Sequence, residues 1–154
     1  MIGDRGAGPV LEGEAADAAD SASTVECLMR TGLRPLEPSD RLAAAAARMR
    51  AAQVGVLTVV EDGELIGLLT ERDLLRAVAD GLSTDVTLVR EYMRPVPCVI
   101  RADAAASVAA ARMMELRVRH LPVVRDSLVV GMVSADDVLR QWGVPPELLI
   151  DEGP

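Results

Sequence analysis

Residues Gly67 to Arg76 read GLLTERDLLR, and 64 residues later Gly131 to Arg140 read GMVSADDVLR. Each stretch places a hydroxyl, Thr70 or Ser134, three residues ahead of a carboxylate, Asp73 or Asp137. Where a strand turns into a helix, that spacing has two uses. The hydroxyl can accept from N–H groups left free in the first helical turn while the carboxylate reaches back to the capping residue, the box that starts many ordinary helices. The same turn carries partial positive charge that suits an anion. Its carboxylate can also accept two hydrogen bonds from a vicinal diol, such as that of a ribose. The two uses can coexist. An arginine follows each carboxylate at i, i+3, Arg76 and Arg140, near enough to pair with it and hold it ionised.

The elements that must position these groups come from an internal repeat. A shift of 64 aligns residues 29–76 with 93–140 without a gap, and 16 of the 48 pairs are identical. Alanine matches are cheap in this chain. Met29/Met93, Arg30/Arg94, Gly67/Gly131, Asp73/Asp137 and Arg76/Arg140 are not. Each copy predicts a short helix ending near Met-Arg and a brief strand (33–36 or 98–100). A longer helix follows, with Ser39 or Asp103 as its N-cap. Then come two apolar strands joined by a tight turn at Glu61-Asp62-Gly63 or Arg125-Asp126-Ser127, and a final helix after Thr70 or Ser134. Pro122 inside a strand suggests an edge or terminal position. A β-α-β-β-α unit of this size covers one face of its sheet only, so the expected α/β (α+β) fold packs two copies sheet to sheet about a pseudo-twofold axis. The expected organisation is an acidic, disordered segment over 1–23, copy one over 24–80, a linker over 81–87, copy two over 88–142 and a tail over 143–154.

Composition removes several function classes. The net charge of -8 sits at the two ends, because residues 27–142 hold fifteen charges of each sign. A chain without a basic face is a poor nucleic-acid binder. No apolar run reaches the length of a membrane span and no leader pattern opens the chain, so a cytoplasmic protein without membrane attachment is expected. All sixteen basic residues are arginine, which excludes Schiff-base and P-loop lysines. One histidine and two cysteines without CxxC spacing argue against a zinc site and leave Cys27 and Cys98 as structural thiols. With Tyr92 and Trp142 the only aromatics, the methionines fill the core.

Both copies resemble the CBS domain, and the pair resembles a tandem CBS (Bateman) module over about residues 24–142. GLLTERD and GMVSADD match the family's Gly-apolar-apolar-Thr/Ser-x-x-Asp phrase, and VRHLPVV is a second hallmark. VGVLTVV departs from it, with Thr58 where the family usually has Pro. The resemblance implies a regulatory module that binds an adenosine derivative (AMP, ADP, ATP or S-adenosylmethionine) in a cleft between the copies, requires no cofactor and signals to a partner protein that the sequence does not identify. It assigns ribose and phosphate contacts to Thr70, Asp73, Ser134 and Asp137. Arg119 and His120 would add phosphate contacts in copy two, where copy one has Gly55 and Val56. Leu36, Val54, Val56, Val99 and Val118 are the candidates for an adenine slot and equally good core residues. The resemblance also implies a homodimer, to which Trp142 could contribute a contact. An interaction protein with an empty or vestigial site is the alternative. An enzyme is not expected, because no nucleophile motif or metal cluster is present.

Overall fold

The computed structural model describes residues 23–143, and the segment expected to be disordered and the C-terminal tail otherwise lie outside the described residues. In chain order the elements are α1 (Val25–Leu28), α2 (Leu42–Ala52), β1 (Val56–Glu61), β2 (Glu64–Thr70), α3 (Glu71–Ala79), α4 (Val89–Tyr92), β3 (Ile100–Arg101), α5 (Ala106–Leu116), β4 (His120–Arg125), β5 (Leu128–Ser134) and α6 (Ala135–Gln141). The mixed α/β class and the 64-residue period are as expected. No helix among the described residues is long and apolar enough to cross a membrane.

Two compact units result, and they are not the two stretches of the repeat. Residues 32–97 form the first unit; residues 23–31 and 98–143 form the second. The opening helix of each copy is therefore exchanged: α4 packs with α3 in the first unit, and α1 packs with α5 and α6 in the second. Residues 81–87, expected as a linker, belong to the first unit and contribute backbone partners to α2.

In the first unit β1 and β2 form an antiparallel hairpin, and the preceding strand shrinks to one parallel bridge, Leu36 to Val59. In the second unit β3 lies parallel to β4, which pairs antiparallel with β5. Both hairpins shift register at equivalent places, between Val59 and Val60 and between Val123 and Val124. Both turn through two residues of positive φ, Asp62-Gly63 and Asp126-Ser127, the mirror-image turn that matches strand twist. Pro122 does not lie in an edge strand. It sits in central β4, which tolerates it because pairing with β3 begins one residue later, at Val123.

The long helices start later than expected, at Leu42 and Ala106, and neither has a side-chain cap. Backbone carbonyls do that work. Leu42 N–H donates to Thr87 O and Ala43 N–H to Thr84 O, both at 3.0 Å, and Ala106 N–H donates to Ser23 O at 3.1 Å. Orphan donors at a helix start need any acceptor, and here tertiary structure supplies it. Asp103 instead takes the Arg101 guanidinium with both oxygens.

Each unit buries an aliphatic core. Leu36, Leu42, Leu57, Val59 and Leu69 anchor the first; Ile100, Leu121, Val123, Val133 and Val138 anchor the second. Met49 and Met113 are buried in equivalent positions, whereas Met114 is exposed. Cys98 is buried, which pushes its thiol pKa up, and Cys27 is exposed.

Candidate functional site

The phrase that opens α3 and α6 folds as a capping box in both units. Asp73 Oδ2 accepts from Thr70 N–H at 3.0 Å and from Thr70 Oγ1 at 2.7 Å, while Asp73 N–H donates back to Oγ1. Ser134 and Asp137 repeat this at 3.0 and 2.5 Å. The capping use is therefore realised, and it consumes one carboxylate oxygen of each aspartate.

The other oxygen differs between the units. Asp73 is 0% exposed. Its Oδ1 accepts from Arg94 Nε at 2.6 Å and has Arg76 at 3.4 Å. Arg76 also lies over the Tyr92 ring, 5.2 Å from its centre, and donates to Tyr92 O. Asp137 is 9% exposed. Its Oδ1 has Arg30 at 3.8 Å and Arg140 at 3.7 Å, beyond hydrogen-bond reach. The i, i+3 arginines thus pair as their spacing suggests. Arg30 and Arg94, which the repeat marks as an identical pair, carry no site role in the sequence pattern and gain one only here.

The chain exchange explains how they arrive. Arg94 and Leu68 exchange backbone hydrogen bonds at 2.9 Å each way; Arg30 and Met132 do so at 2.8 and 3.0 Å. The Met-Arg segment of one copy thus crosses the hairpin formed by the other. It passes over the glycine of the repeated phrase. A Cβ on Gly67 would lie 2.9 Å from Arg94 O and 3.2 Å from Met93 Sδ; on Gly131 it would lie 2.7 Å from Arg30 O and 2.8 Å from Met29 Sδ. Gly, Thr/Ser and Asp therefore form one clasp. The glycine admits the crossing segment, and the aspartate faces its arginine.

Strand register brings the expected basic pair to the second turn. His120 is the β4 partner of Ser134, and Arg119 O accepts from Ala135 N–H at 2.8 Å. Arg119 is exposed and ion-paired with Asp136 at 2.7 Å. At the equivalent place in the first unit, Val56 pairs with Thr70 and Gly55 O accepts from Glu71 N–H. Of the adenine candidates, Leu36, Val56 and Val99 are buried, and Val54 and Val118 pack half-buried against the two cores. Among the described residues no group of three His, Cys, Asp or Glu side chains converges as a metal would require.

The family model for the CBS domain matches residues 25–80 and 89–142. The Arabidopsis thaliana protein "CBS domain-containing protein CBSX3, mitochondrial" is 40% identical over 93 residues, covering 56% of this chain but 45% of that protein. Hypoxic response protein 1 of Mycobacterium tuberculosis is 30% identical over 120 residues, covering 77% of this chain and 84% of that protein. Among solved structures, the CBS domain protein NE2398 is similar with a TM-score of 0.73 and 30% identity, covering 79% of this chain and 98% of the other. CBSX2 crystallised with AMP has a TM-score of 0.65 and 27% identity, covering 77% and 95%.

Proposed function

Since the chain belongs to the CBS-domain family and carries two copies of that domain, we propose that it is a regulatory module, not an enzyme, that binds an adenosine derivative and passes its occupancy to a partner protein. The ligand class is AMP, ADP, ATP or S-adenosylmethionine, and the working site is the Ser134–Asp137 turn. One observation carries this reading: Asp137 Oδ1 accepts no hydrogen bond among the described residues, with both nearby guanidinium groups beyond 3.5 Å. That oxygen is available to a ribose diol, while Arg119 and His120 stand at the same turn for phosphate. The AMP complex of the similar CBSX2 supports the ligand class.

Titration calorimetry with AMP, ATP and S-adenosylmethionine tests it. Asp137→Ala should weaken the best ligand by about 1.5–3 kcal/mol, the worth of a charge-assisted pair. Asp73→Ala should leave that affinity nearly unchanged, provided circular dichroism shows it folded. Equal losses in both variants would sink the assignment to the second turn.

The sealed carboxylate of Asp73 favours a second reading for the first unit, whose turn would be a structural clasp with no ligand role. Absence of heat with all three ligands would extend that reading to the whole chain and make it an interaction protein.

The proposed module works as a homodimer. Leu75 and Val78, one helical turn apart on α3, are exposed, and so is Trp142, the repeat equivalent of Val78. Such unpartnered apolar groups suit a helix-to-helix contact. Leu75→Glu is expected to shift sedimentation equilibrium from dimer to monomer; an unshifted mass for the variant would place the contact elsewhere.

A further inference from the structure

The first unit holds a cleft of about 650 Å³ at the turn end of its hairpin, the opposite end from Thr70. Leu36 and Val60 contribute apolar lining, and three guanidinium groups line it as well: Arg34, Arg48 and Arg90. Arg48 is committed to Pro35 O and to Asp40, each at 3.1 Å. The side chains of Arg34 and Arg90 make no hydrogen bond or ion pair to another described residue. Glu37, Glu61 and Asp62 also line the cleft.

Comparison of the copies shows that this arrangement is peculiar to the first unit. Positions 61 and 90 correspond to Arg125 and Glu26 in the second unit, so the charges are reversed. There the two side chains close on each other in an ion pair. In the first unit Glu61 and Arg90 both face the cleft without pairing. Position 34 corresponds to Cys98, which is buried and uncharged. The first unit thus keeps two guanidinium groups uncommitted where the second has spent or lost them.

We propose that this cleft is a second ligand site, for a small phosphorylated polyol or sugar. Its phosphate is taken by Arg34 and Arg90, whose planar donor forks match phosphate oxygens. Its hydroxyls donate to the carboxylates of Glu37, Glu61 and Asp62, which are acceptors only when ionised. The volume suits a ligand of that size. The acids disfavour a bare anion, so the hydroxyl-bearing part is needed for affinity. The site shares no residue with the Ser134–Asp137 turn and does not rest on the adenosine reading.

The test is calorimetry on the full chain with glucose 6-phosphate, glucose and inorganic phosphate as probes. Glucose 6-phosphate is expected to bind, and both fragments to bind roughly tenfold or more weakly. Arg34→Gln and Arg90→Gln should each weaken glucose 6-phosphate by about tenfold or more. Asp137→Ala should leave it unchanged, which separates this site from the other turn. The double variant Arg90→Glu/Glu61→Arg rebuilds the charge order of the second unit. It should abolish binding while the urea midpoint stays within error, ruling out misfolding as the cause. Lack of binding by all three probes overturns the proposal. So does wild-type affinity in both arginine variants, or loss of binding in Asp137→Ala.

Discussion

Gly131→Ala is expected to lower stability by about 3 kcal/mol in urea denaturation, near the top of the range for overpacked sites. The added methyl would meet Arg30 O at 2.7 Å and Met29 Sδ at 2.8 Å. The thioether can rotate away. The carbonyl cannot, because its residue is fixed by two backbone hydrogen bonds to Met132. Accommodation therefore requires the crossing segment to lift from β5, straining those bonds and drawing Arg30 further from Asp137. Gly67→Ala should behave similarly through Arg94 and Leu68, where the closest contact would be 2.9 Å. Neither glycine has positive φ, so the effect would come from crowding and not from backbone conformation. A loss below about 0.5 kcal/mol, the scale of an ordinary surface change, would contradict the clasp.

Asp73→Ala is expected to cost about 2–3 kcal/mol, and Asp137→Ala about 1 kcal/mol, from the worth of a cap plus charge-assisted hydrogen bonds. Both lose a capping box. Only Asp73 also loses a close guanidinium partner, Arg94 at 2.6 Å. Arg94 is half-exposed and can be rehydrated, so the figure stays well below that of a fully buried pair. A double-mutant cycle between Asp73 and Arg94 should return a coupling of about 1–2 kcal/mol, and the same cycle for Asp137 and Arg30 a few tenths. Equal couplings in the two units would remove the asymmetry on which the choice of ligand site rests.

Much of this was legible in advance, for local reasons. Val, Leu and Ile in short runs beside Asp-Gly or Asp-Ser mark hairpins, and Thr70-x-x-Asp73 marks a helix start, because each is decided by neighbours within a few residues. The period of 64 made the second copy predictable from the first. The N-caps assigned to Ser39 and Asp103 failed because the helix donors found backbone acceptors distant in sequence, at Thr84, Thr87 and Ser23. Of the two positions expected for Pro122, the edge is excluded and the end of a ladder is close to what is seen, because the length of β3, two residues, depends on its partner strand. The repeat marks Arg30 and Arg94 as a pair but not their contact with the aspartates, which lie 107 and 21 residues away.

Residue order settled the elements, the duplication and the pairing of hydroxyl with carboxylate, since these depend on short-range hydrogen bonding and on apolar periodicity. Which Met-Arg segment crosses which hairpin was a matter of three-dimensional packing. So was the sealing of one aspartate while its twin keeps an unbonded oxygen. Two nearly identical phrases differ there by about an ångström in where an arginine comes to rest, and that distance depends on everything packed around it.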